Sequence, residues 1–459
     1  MVFLDDLAGI DIETATEAQI LAKLRETAEW QALERATGPV SLQRAITLDP
    51  TRLNRLVEDA GKNAERYRMQ GYKPRFRNYF YVVPQRASTK PEDVYCAAKG
   101  NRNVRFAQFV APLRNASSRN FLLPPANRGV NAMSAAGVGI VNNVDVSDVA
   151  LIDIEKAWPA LLPGGVILLS TPRMESGHLD DIGHGVATYG AAVAPEDLAL
   201  DVRGVAPGAK FFRCPYLSAA NPNQTPMAFL ASAILGTIDF IKAEAAAGRL
   251  GTAKGHVILI EQETDQGYPV EVESAVHDAI RTATLNDLIV VEPAGNGWSD
   301  LAGVAGQALT NGVVVVRQLD GQDDSLRSGA ILVAAGHSGE PPFNAFGERH
   351  DFSNFGNVID CWAWGDSTRT YTATIVGPNV VIRDSVEGYI GTSGAAAIVG
   401  GVIVAMQGLQ IKAGAARLTE LQARPMLRTI GTPGKGDLLG KVMPDLGGMA
   451  PKPGVPLIG

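Results

Sequence analysis

Short apolar runs without polar alternation recur along the second half of this chain, separated by helical patterns. They are DVALID at 148–153, residues 166–169, KFFR at 210–213, HVILIE at 256–261, LIVVE at 288–292, VVVVR at 313–317, GAILVA at 329–334 and residues 357–363. A strand that is apolar on both faces has to be covered on both faces, which is the condition of a parallel sheet between helices. Segments 184–193, 224–249, 270–286, 392–410 and 418–429 carry the helical spacing that supplies the cover. The pattern predicts an α/β chain, a three-layer α/β/α domain around a mostly parallel sheet.

Ahead of this block the character differs. Residues 14–36 set Ile20, Leu21, Leu24, Ala28, Trp30 and Leu33 at helical spacing between a Thr start and Gly38, and a charged helix runs from about 50 to 69. Asn78–Val83 is a β-run, Lys90-Pro91-Glu92-Asp93 opens a short helix, and 103–110 is a second strand. Residues 112–145 are rich in Asn, Pro, Ser and Gly. The expected organisation is a helical segment at 1–72, a strand–helix–strand module at 73–112, a linker at 113–145, the α/β domain at 146–440 and a Pro/Gly-rich tail at 441–459.

The charge balance is acidic, with a net charge of −7 and a pI of about 5.5. No basic stripe is present, so nucleic acid and anionic membrane surfaces are excluded as partners. Cys96, Cys214 and Cys361 form an odd, widely spaced set and read as buried free thiols, neither a disulfide framework nor a metal knuckle. Asp5 and Asp6 stand where a signal peptide needs positive charge. No 18 uncharged apolar residues run together, and the nearest stretch, 383–408, is broken by Asp384 and Glu387. The expected location is the cytoplasm, with export by a signal-less route left open.

Four motifs occur in order inside the α/β block. Ala150-Leu151-Ile152-Asp153 is an apolar strand ending in a carboxylate. Gly183-His184-Gly185-Val186-Ala187-Thr188-Tyr189-Gly190 sets a His at an expected helix start. Val290-Val291-Glu292-Pro293-Ala294-Gly295-Asn296-Gly297 is a strand ending in a Gly-Asn-Gly turn, and Gly391-Thr392-Ser393-Gly394-Ala395 opens a helix of small apolar residues. Functional groups of parallel sheets gather at the carboxyl ends of strands. A hydroxyl to attack, an imidazole to take its proton, a carboxylate to orient the imidazole and an amide to hold the oxyanion are the parts that acyl transfer requires.

Each residue has a plainer reading. Ser393 caps a helix, Asn296 tolerates a left-handed turn, and Asp153 ends a strand. Alternation sends Glu155 to the same face as Asp153, so the strand alone leaves either carboxylate in the role. His178, Asp180, Asp181 and His184 are dense in ligand types, but they contain no His pair one helical turn apart. His256, His277, His337 and His350 read as ordinary histidines without a site role. The glycine-flanked His segment lacks G-x-G-x-x-G and a P-loop Lys, which disfavours nucleotide binding. No D-x-D-x-D-G calcium loop is visible.

Together the motifs resemble the subtilisin-like serine peptidases, whose triad follows the chain order Asp, His, Ser. GHGVATYG is similar to that family's His-Gly-Thr box, AGNG to its oxyanion Asn turn, and GTSGAAAIVGG to its nucleophile helix. The resemblance covers roughly 145–430 and extends to VILIEQ and to VAPGAK at 205–210. Asp153-Ile154-Glu155 followed by Trp158 looks like a bacterial branch. The resemblance implies a serine endopeptidase without a cofactor, acting on a protein or peptide substrate; calcium sites are frequent in that family, and no metal ligand is assigned here. Asp153, His184 and Ser393 would form the triad and Asn296 would donate to the oxyanion. Glu261, Gln262 and Glu263 would line the pocket for the residue before the scissile bond. It also implies that module 78–110 is propeptide-like and packs on the catalytic domain. The alternatives are a latent or degenerate subtilase acting as a binding or regulatory module with its cleft blocked by the N-terminal region, and a flavodoxin-like ligand binder. Val186 replaces the box Thr, Ser393-Gly394-Ala395-Ala396-Ala397 lacks the usual second Ser and Pro, and Glu261-Gln262-Glu263 replaces Ser-Leu-Gly.

Overall fold

The computed structural model describes residues 1–4, 7–67, 72–107, 113–115, 130–131, 145–157, 167–168, 179–196, 201–217, 227–301, 327–341, 345–376, 379–384 and 389–449. The expected strand at 313–317, the Trp158 end of the Asp motif and most of the linker lie outside them.

The N-terminal part holds β1 (Val2–Leu4), α1 (Glu17–Arg25), α2 (Ala28–Thr37), β2 (Val40–Arg44), α3 (Pro50–Asn63), β3 (Tyr79–Pro84), α4 (Pro91–Lys99) and β4 (Val104–Ala107). The single helix expected over 14–36 is two. Thr27 interrupts it, because its hydroxyl donates to Leu24 O at 2.6 Å and accepts from Trp30 N at 3.3 Å, ending one helix and capping the next. The four strands form one antiparallel sheet in the order β2-β3-β1-β4. Strands from both of the segments divided at residue 72 therefore share a sheet. Ile20, Leu24, Trp30, Leu33 and Phe80 fill the core between this sheet and its helices. Two short linker pieces are paired as well: β5 (Leu113–Asn115), and β6 (Val130–Asn131) alongside Thr368–Arg369.

The α/β part runs β7 (Ala150–Ala157), β8 (Ile167–Leu168), α5 (Leu179–Ala192), β9 (Lys210–Leu217), α6 (Met227–Ala246), β10 (Val257–Ile260), β11 (Gln262–Thr264), α7 (Ser274–Leu285), β12 (Ile289–Pro293), β13 (Ile331–Gly336), β14 (Cys361–Trp364), α8 (Thr392–Lys412) and α9 (Glu420–Thr429). Seven strands form a sheet in the order β14-β13-β12-β10-β7-β9-β8, parallel throughout except for the edge strand β8. The period-2 alternation of strands splits the core in two. Leu151, Val257, Leu259, Ile289 and Val291 face α5 and α8, whereas Ala150, Ile152, Ile154, Ile258 and Val290 face α6 and α7. This is the expected three-layer arrangement. Helix α8 is long and apolar enough to cross a membrane by length and composition, and 94% of its apolar window is buried in the protein. A helix apolar on all sides belongs in the interior.

Helix α3 and its neighbours meet the outer surface of α6 and α7. Arg52 and Arg55 both pair with Asp239, and Lys242 Nζ lies 2.6 Å from Asp59. Tyr79 Oη donates to Asp278 at 2.7 Å, and Asn63 donates to Leu285 O at 2.7 Å.

At the amino ends of the central strands, His256 and Asp360 each meet several partners, although Arg428 Nη2 is buried without one among the described residues. His256 Nδ1 accepts from Ala150 N at 2.9 Å and its Nε2 donates to Thr252 O at 2.8 Å, which sets one neutral tautomer. Burial, helped by Arg417 nearby, lowers this imidazole to about 4. Asp360 accepts from Arg424 Nη1 at 2.7 and 2.6 Å, from Arg428 Nε at 2.7 Å and from Leu332 N at 2.9 Å. Arg424 also pairs with Glu420 and donates to Ala330 O at 2.8 Å. Burial alone would raise the Asp360 carboxyl, but the two guanidinium groups outweigh it and hold the group below its usual range.

Candidate active site

The strand order decides where a site forms. From β7 the chain adds β9 on one side and returns to add β10 on the other, so the order reverses between β7 and β10. Connections leaving that point on opposite sides open a crevice at the carboxyl ends of the strands.

Asp153 sits on β7, in register with Leu259 of β10 and Arg213 of β9. It is fully buried, and its Oδ2 lies 3.9 Å from Arg213 Nε. Alternation gives Asp153 the face of Leu151, toward α5 and α8. The side chain of Glu155, and those of His178, Asp180 and Asp181, lie outside the described residues.

His184 lies in the second turn of α5, not at its start as the flanking glycines suggest. Gly183 and Gly185 each cost a helix interior about 1 kcal/mol. The buried face formed by Ala187, Ala191 and Ala192 against α8 offsets that cost, since packing decides helix limits more than propensity does. Ser393 occupies the first turn of α8, directly after Gly391 and Thr392. Gly391 has φ +124°, a value that disfavours any side chain. This turn brings Ser393 Oγ to 3.1 Å from His184 Nε2, with both residues buried. As a first-turn residue, Ser393 has a backbone N–H without an intrahelical acceptor.

Asn296 ends the turn after β12. Gly295 there has φ +90°, and a Cβ on it would meet Gly267 O at 2.1 Å, so the turn demands glycine. Asn296 N donates to Glu263 Oε2 at 2.5 Å. Asn296 Oδ1 accepts from Thr392 N at 3.1 Å and from Thr392 Oγ1 at 2.9 Å. A backbone N–H only donates, so the amide orientation is settled and Nδ2 points the other way. That Nδ2 is buried with no hydrogen-bond partner among the described residues. Beside it, Asn354 uses every site of its amide: Nδ2 donates to Gly267 O at 2.6 Å and Ala294 O at 2.7 Å, and Oδ1 accepts from Gly297 N at 3.1 Å and Ser299 N at 2.9 Å.

Glu261, Gln262 and Glu263 are all buried. The Glu261 carbonyl oxygen lies 3.5 Å from Ser393 Oγ, and the Glu263 carboxylate lies behind the Asn296 turn. Strand β11 pairs antiparallel with β5, Gln262 opposite Asn115, Glu263 opposite Arg114 and Thr264 opposite Leu113. Further back, burial first and Glu271 second hold the Glu292 carboxyl well above its usual range.

Sequence reasoning gave no role to Thr188 and Thr392, which lie inside its motifs, and did not single out Tyr389 or Asn354. Tyr389 Oη lies 3.1 Å from His184 Nε2 and 3.0 Å from Thr188 Oγ1, so two hydroxyls, those of Tyr389 and Ser393, face one imidazole nitrogen. Thr188 stands one helical turn after His184, a signal available in the sequence; Tyr389, 205 residues away from His184, gave none. Of the cysteines, Cys214 and Cys361 are buried as expected and Cys96 is exposed. Burial pushes the Cys214 thiol up to about 11.

Residues 170–429 match the model of the subtilase family. No curated protein matches the chain. Among solved structures it is similar to fervidolysin from Fervidobacterium pennivorans, a keratinolytic enzyme related to subtilisin, at 16% identity and a TM-score of 0.47, covering 86% of this chain and 58% of that one. It is also similar to the self-cleaved protease domain of PatA (18% identity, TM-score 0.40, 65% of this chain and 94% of that one). The prenylagaramide maturation protease PagA is a third (15% identity, TM-score 0.37, 66% and 92%). The family match spans more than half of the sequence, and on that extent the chain belongs to the subtilase family.

Proposed function

We propose that this subtilase is a serine endopeptidase in which Ser393 is the nucleophile, His184 the general base, Asp153 the carboxylate that orients the imidazolium, and Asn296 the side-chain donor to the oxyanion. The observation that carries the reading is the 3.1 Å approach of Ser393 Oγ to His184 Nε2 beside an amide donor already oriented by Thr392. Ser393 Oγ attacks the peptide carbonyl and its proton passes to His184 Nε2. The negative oxygen is met by Asn296 Nδ2 and by the Ser393 N–H at the positive end of α8. His184 then returns the proton to the leaving amine, and water releases the acyl group by the same route. The substrate is a protein or peptide chain. The test is labelling by a serine-directed fluorophosphonate: the wild-type chain takes up one probe and Ser393→Ala takes up none. Labelling that survives Ser393→Ala would refute the nucleophile.

A second reading, latency, is favoured by the pairing of β5 with β11. Residues 113–115 follow the N-terminal module and lie along the strand next to Glu261, whose carbonyl touches Ser393. In this reading the module holds its own linker along the cleft as a substrate would lie. Removal of residues 1–115 by limited proteolysis then raises the labelling rate. A full-length chain that labels as fast as the trimmed one, with its intact mass unchanged, rejects latency.

A further inference from the structure

Another polar cluster stands at the carboxyl ends of the neighbouring strands. His337 directly follows β13, Asp366 comes two residues after β14, and His350 lies on the segment between these strands. His337 Nδ1 is 2.9 Å from Asp366 Oδ2, and His350 Nε2 is 3.5 Å from the same oxygen. One ligand atom from each residue falls within 4.8 Å of the other two; His350 and Asp366 are buried and the His337 side chain is 12% exposed. A tetrahedral ion with bonds of about 2.0–2.1 Å sets its ligands roughly 3.3–3.4 Å apart, a separation that the two His–Asp distances bracket. The other oxygen of the carboxylate, Asp366 Oδ1, accepts from Ser338 N at 3.1 Å and from the Ser338 hydroxyl. Outer contacts of this kind select which oxygen turns inward.

We propose that His337, His350 and Asp366 form a binding site for a divalent ion of the zinc class. Two imidazoles and one carboxylate suit zinc and the late first-row divalent ions; calcium and magnesium take oxygen ligands. Three protein ligands leave the fourth tetrahedral position to water, and the ligands sit on the segments that hold the candidate active site. Gly365, next to Asp366, accepts from Gly391 N at 3.0 Å just ahead of Ser393, and Thr368 O accepts from Tyr389 N at 2.7 Å. His350 lies four residues before Asn354, which grips the Asn296 turn. A bound ion ties the segment bracing the nucleophile helix to the one bracing the oxyanion turn. The site itself does not depend on the proposed activity; only its bracing role does.

The experiment uses the full chain carrying Ser393→Ala, so that binding is read without proteolysis. After dialysis against a chelator, Zn²⁺ is titrated in competition with a chromogenic chelator, Co²⁺ is added separately for its visible absorption bands, and melting is followed with and without Zn²⁺. The expected result is one equivalent of Zn²⁺ per chain, Co²⁺ bands of tetrahedral intensity and a higher melting temperature with metal. His350→Gln and Asp366→Asn, which keep a hydrogen-bonding partner in place, should weaken binding by 10–100-fold or more. His277→Ala should bind as the parent does. Substoichiometric binding by the parent, equal binding by His350→Gln, or a melting temperature indifferent to Zn²⁺ each overturns the site and leaves a hydrogen-bonded His–Asp–His cluster. Fluorophosphonate labelling of the wild-type chain is read separately, so failure of the catalytic reading and failure of the metal site remain distinct.

Discussion

The two ends of the central sheet use the same kinds of residue in opposite ways. At the amino ends, His256 has one neutral tautomer held by a donor and an acceptor, and Asp360 receives bonds from Arg424, Arg428 and Leu332. At the carboxyl ends, His184 Nε2 is shared by two hydroxyls and Asn296 keeps a buried amide donor in reserve. Buried polar groups stabilise a fold only when their partners are complete, and a site that must bind a developing charge cannot be complete beforehand. In the reading proposed above, the contrast assigns rigidity to one edge and chemistry to the other, within a single layer of strands.

The sharpest way to break the comparison is to strike the carboxyl edge and look for a change in stability. Ser393→Ala or His184→Ala should each lower turnover on the order of 10⁶-fold, a magnitude taken from subtilisin, a relative in the same family, and the double change should cost little more. Denaturant midpoints of these variants should stay near the parent's; a large fall would remove the division of labour. Next comes the opposite blow. Arg424→Met leaves Asp360 and Glu420 buried without their shared cation and should cost about 3–5 kcal/mol in urea unfolding. Probe labelling of the fraction still folded should be unaltered.

Asn296→Ala removes one oxyanion donor and should reduce kcat by about 10²–10³-fold with KM nearly unchanged. A KM effect with kcat intact would make Asn296 a turn residue only. The acid limb tests the amino edge. His256 falls from an ordinary value of 6.5 to about 4 in the folded chain, so below about pH 6.5 the unfolded state binds the proton first. Stability should therefore fall as pH drops from about 6.5 to about 4, by up to about 3 kcal/mol, and change no further from this group below that. His256→Gln, which can still accept from Ala150 N and donate to Thr252 O, should flatten the profile in that window. The smallest effect concerns specificity. Because Glu263 holds Asn296 N, Glu261→Gln plus Glu263→Gln should slow turnover about tenfold, through a weaker charge-assisted bond, without altering a peptide-library preference. A basic preference before the scissile bond that disappears in the double variant would place these carboxylates in the pocket.

Much of the α/β part was legible because its strands are continuous apolar runs, and such runs announce both a strand and its cover. Ile258, Leu259, Val290 and Val291 could be placed in a parallel sheet from residue types alone. The N-terminal sheet was hidden for a physical reason: β1 has 3 residues and pairs with β3, with Val2 opposite Phe80. A strand that short has no period to read. His184 was visible as chemistry but misplaced on its helix, since glycines that weaken a helix in isolation are tolerated where Ala191 and Ala192 pack against α8. Tyr389 and the cluster of His337, His350 and Asp366 stayed invisible because loops between strands, not local spacing, bring their atoms together.

The ribbon of β5 on β11 bears on which proteins such an enzyme would cut, in the reading proposed above. Once residues 113–115 leave, Gln262–Thr264 presents a short line of backbone donors and acceptors along an open edge. Any chain able to lie extended there satisfies them, whatever its side chains, because strand addition is paid in main-chain hydrogen bonds. A compact folded protein must first free several residues from its own ladders and helices, and most cannot do so at low cost. Local unfolding in the client thereby becomes the selecting property, so that the rate of cleavage gauges how loosely a protein is held together.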